Sequence, residues 1–355
     1  MNEAPETSTE TGTETGTETG TEIPPELVTQ MTGWRRDFHR HPEPGFAEER
    51  TSAHIASLLE SFGIEVHRNI GKTGIVGILQ RGNGPGSIAF RADMDALPIT
   101  ETGTPEWVSV HDGAMHACGH DGHTAMLLGA ACHLAAKGDF NGRIVFIFQP
   151  NEEHGQGARA MIDDGLFQRF PADAVFAMHN IPGMKAGSFA TRAGPMTASE
   201  SLFELSVTTR CGHAALPHMG VDAILVGAQL VTALQSIVSR KLDPARNGVV
   251  SITEFITDGS RNVLPSSALL KGDARALSDD TNHAIEAHMR RIAAGIAAAH
   301  DVDITVTYDT IFPSLTNDAS AVSHAIAAAR TISDTVDPTC DAKLFSEDFA
   351  HMART

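Results

Sequence analysis

Met115-His116-Ala117-Cys118-Gly119-His120-Asp121-Gly122-His123 carries one thiol, three imidazoles and one carboxylate in nine residues. Its two glycines allow tight backbone, and the apolar run from Met126 to Ala136 reads as the helix that follows. A thiolate and a neutral imidazole are ligands suited to zinc, manganese, cobalt or nickel. A Cys-x-His spacing in an extended turn points Cys118 and His120 to the same side, because side chains there alternate with period two. The competing interpretation is a turn with surface histidines and one buried cysteine.

Working outward, short strand-like runs at residues 64–68, 74–80 and 87–91 precede this stretch, and the last leads into Ala92-Asp93-Met94-Asp95-Ala96-Leu97-Pro98. Open α/β sheets place ligands at the carboxyl ends of buried strands, where Asp93 and Asp95 fall. After the apolar helix, a strand over residues 143–148 delivers Asn151-Glu152-Glu153-His154-Gly155, and a strand over residues 174–178 delivers His179 and Asn180. Three strand ends thus bring ligand-type side chains to one edge. Adjacent glutamates there point in different directions, so one can bind a metal while the other stays free. Glu153 is read as the ligand. Glu152 is read as the general base, which takes a proton from water made acidic by the metal. Taken alone, the pair could be a solvated acidic turn.

The pattern changes near residue 198. Phe203, Leu205 and Val207 alternate with polar neighbours as in a half-exposed strand, and an amphipathic helix over about residues 221–242 follows. Strands over residues 249–255 and 268–276, a helix over 280–300 and a strand holding Val302, Ile304, Val306 and Tyr308 complete the series. Strand–helix–strand–strand–helix–strand is the ferredoxin-like α+β order. The expected division is a leader over residues 1–23, a first domain over 24–197 resumed at 311–355, and an inserted domain over 198–310. The leader repeats Thr-Glu-Thr-Gly from Thr9, with almost no apolar side chains, and reads as disordered.

With 355 residues, 41% hydrophobic and 20% charged, the chain has room for two domains and an ordinary globular composition. A formal charge of −18 argues against nucleic acid or an anionic membrane as partner. No long apolar run suggests a membrane span, and no signal peptide is visible at the N-terminus. Cys118, Cys132, Cys211 and Cys340 are few and scattered, which suits free thiols in a reducing, cytoplasmic setting. His39 and His41, within Arg35-Arg36-Asp37-Phe38-His39-Arg40-His41-Pro42-Glu43, are read as turn-shaping residues rather than ligands.

Together these motifs give a family resemblance. The chain resembles the di-metal amidohydrolases that include hippurate hydrolase, auxin-conjugate hydrolases and N-acetyldiaminopimelate deacetylase, in the aminoacylase and carboxypeptidase clan. The matching segments are Arg35 to His39 with Pro42-Glu43, Arg91 to Pro98, Met115 to His123, Asn151-Glu152-Glu153, Met178-His179-Asn180, Gly212-His213-Ala214-Ala215-Leu216-Pro217-His218, Asn262-Val263-Leu264-Pro265 and Ser346-Glu347-Asp348-Phe349. The resemblance implies an α/β, zinc-peptidase-like catalytic domain on a mixed sheet, with the inserted domain serving homodimerisation. It implies metal ligands at Cys118, His120, Glu153 and His179, Glu152 as base, and either Asp93 or Asp95 steadying a group at the metal site. A histidine matching His213 reaches the partner's active site and helps hold the oxyanion, and Asn262 falls near substrate. Two divalent ions are implied, manganese first, with zinc, cobalt or nickel as alternatives. The substrate is a small N-acyl amino acid. The Cys-x-His pair favours this branch over the clan's peptidases and aminoacylases. Such enzymes continue past the Ser-Glu-Asp-Phe motif into a segment with a final metal-binding histidine. Either the sequence is truncated before that segment, or the second ion is held by fewer protein ligands. The alternative is a catalytically impaired, truncated homologue acting as a metal-binding or dimerising protein.

Overall fold

A computed structural model describes residues 23–355, so all of the leader but Ile23 lies outside the described residues. Helix α1 (Pro25–Arg40) begins on a proline, whose fixed φ and missing N–H suit a first helical turn. Helix α2 (Glu49–Ser61) ends at Phe62, and Gly63 follows with φ of 77°. Strands β1 (Glu65–Ile70), β2 (Gly74–Arg81) and β3 (Ser87–Asp93) come next. Then follow α3 (His120–Lys137), β4 (Gly142–Gln149), the short helices α4 (Gly157–Asp163) and α5 (Leu166–Arg169), and β5 (Ala174–Ala177).

These five strands form one sheet of order β1-β2-β4-β3-β5. β1 with β2 and β2 with β4 are antiparallel, while β3 runs parallel to both β4 and β5, so the sheet is mixed, as expected. Its register places Asp93 opposite Gln149, which brings the carboxyl ends of β3 and β4 level. Strand β4 is buried on both faces. Ile144, Phe146 and Phe148 pack with Phe38, Ile55, Leu59 and Leu128 from α1, α2 and α3. Val145 and Ile147 face the opposite way, onto Ala158, Met161 and Leu166.

The short strands β6 (Phe189–Ala190) and β7 (Gly194–Thr197) lead into a second sheet. It holds β8 (Ser199–Thr208), followed by the two-residue β9 (Gly212–His213) and helix α6 (Ala223–Ser236), which Asp222 caps through the N–H groups of Ile224 and Leu225. Then come β10 (Gly248–Thr257), β11 (Val263–Leu264), β12 (Ser267–Ala276), α7 (Asp279–His300) and β13 (Asp303–Phe312). The order β10-β12-β8-β13 is antiparallel throughout, the arrangement that the strand–helix–strand–strand–helix–strand series predicts. Helices α6 and α7 cover one face, over a core of Phe203, Leu205, Val207, Val226, Leu230, Ile285 and Met289.

The helix expected over residues 221–242 is an α-helix only to Ser236 and ends in a π-helical turn over Ile237–Lys241. Contrary to the sequence expectation, residues Ala223–Lys241 are long and apolar enough to span a membrane by composition alone. Val226, Leu230, Leu234 and Ile237 are nevertheless spent on the core of the second sheet. After β13 the chain returns through β14 (Leu315–Asn317), which pairs with β7, then α8 (Ala319–Ala329), β15 (Val336–Asp337) beside β6, and α9 (Phe349–Met352). Phe349, Ala350 and Met352 complete the second core of the first sheet.

Phe203 on β8 lies opposite Gly272 on β12, where an added Cβ would meet its ring at 2.3 Å. It also stacks on Tyr308, with centroids 6.4 Å apart. Replacing Phe203 by Ala is expected to cost about 3–5 kcal/mol, read as a lower urea midpoint for the second sheet.

Candidate metal centre

The turn around Gly119 sets the geometry. Gly119 has φ of 98°, and a Cβ there would lie 2.4 Å from Asn180 Oδ1, so both conformation and space require glycine. Cys118 therefore precedes α3, and His120 is its first residue. The two converge across a left-handed glycine and not along the extended turn that the spacing predicts. The glutamates also differ from expectation: β4 stops at Gln149, and Glu152 and Glu153 stand on a turn entered through Asn151, whose φ is 49°.

His120 is fully buried. Its Nδ1 donates to the Asp95 carbonyl at 2.9 Å and faces Asp95 Oδ1 at 3.2 Å. That leaves Nε2 without a hydrogen-bond partner among the described residues, and Glu153 Oε1, 3.9 Å away, is equally unpartnered. His179 Nδ1 donates to the Asn180 carbonyl at 2.7 Å, so its Nε2 carries the lone pair, 3.5 Å from Cys118 Sγ. The ligand atoms of Cys118, His120 and His179 lie within 4.8 Å of one another, as do those of His120, Glu152 and Glu153. All four expected ligands thus gather around His120. Orphaned buried polar atoms are costly, and a thiol, two imidazoles and a carboxylate are a donor set that fits a divalent transition metal.

Electrostatics separate these groups. Burial opposes charge on His120, but Asp93 and the bond to Asp95 outweigh it and hold its pKa well above 6.5. An ion bound at Nε2 would displace that proton. Burial and neighbouring His123 lower the pKa of His179, favouring the neutral ring. Burial, followed by the charges of Glu347, Asp348 and Asp93, raises Glu152 well above the ordinary carboxyl range, against the pull of Arg91.

Arg91 is the cation of this region, and it was not among the expected site residues. Its side chain is 1% exposed and donates to Asp93 at 2.7 Å, Gln149 at 2.7 Å, Glu347 at 2.9 Å and Asp348 at 3.0 Å. Asp348 also accepts from Gln149 and from the Ala158 N–H, and its own N–H points at Glu152 Oε1, 3.3 Å away. Burial pushes the Asp348 carboxyl up to about 7. The strand position of Arg91 gives no signal of this role, but its place two residues before Asp93, inside a strand otherwise apolar, is a usable clue.

Asp93 and Asp95 divide their work. Asp95 holds His120, while Asp93 accepts from His123 Nδ1 at 2.6 Å. His123, also missed, is held at its other nitrogen by Asn180, 2.6 Å away. His213 and Asn262 lie together on the β9–β11 ribbon, where the Ala214 N–H donates to the Asn262 carbonyl, and neither belongs to the clusters around His120. His41 Nδ1 bonds the Asp37 carbonyl, as a turn-shaping residue would. His39 instead has Asp121 Oδ2 2.9 Å from Nδ1 and Glu101 Oε1 3.3 Å from Nε2. Two carboxylate acceptors call for two N–H donors, hence an imidazolium.

The His39 bridge pins residues 98–113 to α1, helped by Trp107 under Arg36 at 4.0 Å. The hydrogen bond to Asp121 is the main cause that raises the pKa of His39 above 6.5. The stabilisation from a raised histidine is complete below its unfolded pKa and is lost as pH rises through the folded one. Residues 98–113 should therefore be cleaved faster by a protease as pH rises from about 6 to about 9. A His39→Gln variant should be cleaved quickly at both pH values.

Comparison with known proteins agrees with this architecture. Residues 89–355 match the model of peptidase family M20/M25/M40. The chain is 42% identical over 307 residues to hippurate hydrolase of Campylobacter jejuni, covering 86% of this chain and 80% of that protein. It is 40% identical over 288 residues to the N-acyl-L-amino acid amidohydrolase of Geobacillus stearothermophilus, covering 80% and 77%. The crystal structure of a Bacillus subtilis protein described as a dinuclear metal binding peptidase of the M20 family superposes with a TM-score of 0.81 at 34% identity, covering 93% of this chain and 86% of that one. The fold, the gathered donor set and these likenesses have one meaning: the chain belongs to peptidase family M20/M25/M40.

Proposed function

We propose that this chain is a metal-dependent hydrolase that cleaves the amide bond of small N-acyl amino acids, hippurate-like compounds among them. The observation that carries the proposal is the pairing of the gathered donors with Glu152, a 6% exposed carboxyl on the same turn as Glu153. The names of the Campylobacter and Geobacillus relatives support the substrate class. Cys118, His120, Glu153 and His179 would hold two divalent ions, with manganese as first choice and zinc, cobalt or nickel as alternatives. Such ions acidify water and polarise a carbonyl.

The remaining work falls to the chain. Glu152 takes the proton of the attacking water on its carboxylate and delivers it to the nitrogen of the leaving amine. Burial, followed by the charge of Glu347, raises its affinity for that proton, which favours holding it between the two transfers. Asp95 fixes the ring of His120 so that Nε2 faces inward. Asp93, clamped by Arg91, steadies His123.

His213 and Asn262 are read as substrate-binding groups that act across a homodimer built on the second sheet. His213 would help hold the oxyanion. Support for the dimer comes from β10, which ends the second sheet and exposes Phe255 and Ile256, and from Ile224 and Leu225 on the outer side of α6. The four free cysteines suit the cytoplasm.

Replacing Glu152 by Gln should lower kcat on N-benzoyl and N-acetyl amino acids by about 10²–10⁴-fold, measured with added manganese or zinc. Unchanged turnover would remove Glu152 from the role of base. Ile256→Asp should convert a dimer to a monomer in sedimentation; a wild-type chain that is already monomeric refutes the assembly.

A further inference from the structure

We propose that Glu48, distant in sequence from every expected site residue, is the positioning residue that sets the direction of the Glu152–Glu153 turn. The inference rests on the reading of Glu152 as base. Glu48 stands at the N-cap of α2, yet its side chain does not cap that helix. Glu43 does so instead, accepting from the N–H of Arg50 at 3.0 Å and of Thr51 at 2.7 Å. The Glu48 carboxylate, 0% exposed, is turned inward. One oxygen accepts from the Thr73 hydroxyl at 2.6 Å and the other from the Asn151 N–H at 2.9 Å.

Asn151 is where the chain turns. It stands at positive φ, a conformation that asparagine adopts more readily than other side-chain-bearing residues. Its side chain is fixed: Oδ1 lies 2.7 Å from His154 Nδ1, and a Cβ on Gly45 would come within 1.8 Å of it. From there the backbone divides the two glutamates. The Glu153 N–H donates to Asp95 Oδ2 at 3.1 Å, and Glu152 Oε1 faces the Asp348 N–H. Asp95 and Asp348 hold the far side of this turn, and Glu48 holds its entrance.

No arginine or lysine pairs with Glu48 among its described hydrogen bonds and ion pairs. Burial and the nearby Asp95 charge push its carboxyl up to about 7, against the Thr73 and Asn151 bonds. A buried carboxyl without a cation is a standing cost. An apolar residue would fill the space more cheaply but could not accept the Asn151 N–H.

The test compares Glu48→Ala, Glu48→Gln and Thr73→Val with wild type by two readouts. One is kcat and KM on N-acetyl amino acids with manganese. The other is amide hydrogen exchange over residues 149–157, which needs no turnover. Glu48→Ala should lower kcat by about 10–100-fold with KM nearly unchanged. It should also speed exchange over 149–157 by about tenfold or more, with β8–β13 unaffected. Glu48→Gln keeps an acceptor for Asn151 and should restore most of both. Thr73→Val releases one oxygen and should fall between, and it decides the matter if Glu48→Ala does not fold. Wild-type exchange in both Glu48→Ala and Thr73→Val, or equal damage from Gln and Ala, overturns the role of Glu48. A wild-type chain that hydrolyses no acyl amino acid refutes the functional reading alone, because the exchange readout still judges Glu48.

Discussion

The bond from His120 Nδ1 to the Asp95 carbonyl is the constraint on which the site depends. It commits one ring nitrogen and leaves Nε2 buried with no hydrogen-bond partner among the described residues, so the interior is built around a polar atom that those residues do not satisfy. Cys118 and His179 gather on His120 in one cluster and Glu153 in another, each delivered by a different part of the first sheet's carboxyl edge. Gly119 makes the convergence possible by letting the thiol and the first residue of α3 meet across a left-handed turn. The site is therefore polarised before any ligand arrives, which is the usual condition for a preorganised centre.

Around it lies an excess of buried negative charge. Asp93, Glu347 and Asp348 share the single guanidinium of Arg91, with Glu152 close by. Burial first, and then like charges that one cation cannot all stabilise, raise the proton affinity of Glu152 and Asp348. The segment carrying Glu347 and Asp348 also touches the second sheet, where Arg275 donates to Ser346 Oγ at 3.0 Å. Arg354, just beyond α9, donates to both Asp279 oxygens at the start of α7.

Much of this was legible in the sequence, and the failures are instructive. Period-two alternation marked β8, and the order of strands and helices fixed the topology of the second sheet, because both are local properties of the chain. The ligand-type residues stood out because a thiol, imidazoles and paired acids were clustered in short stretches. Arg91, His123 and Glu48 were missed for a common reason. Their partners are distant in sequence: Arg91 reaches Asp348, His123 reaches Asn180, and Glu48 reaches Asn151. Period and spacing say nothing about such pairs. The extended Cys-x-His turn failed for the opposite reason, since a single glycine at positive φ overrode the local pattern.

The level alignment of Asp93 with Gln149 has a consequence for how such a chain can vary. Deleting one residue from the middle of β3 or β4 would invert every side chain beyond it, turning Asp93 or Gln149 out of the charged cluster and an apolar neighbour into it. Lengthening the Gly82–Gly86 connection, at the opposite edge, would disturb neither. The parallel pair behaves as a ruler with its zero mark at the reactive end. Length is therefore constrained along the strands and free to change in the loop behind them.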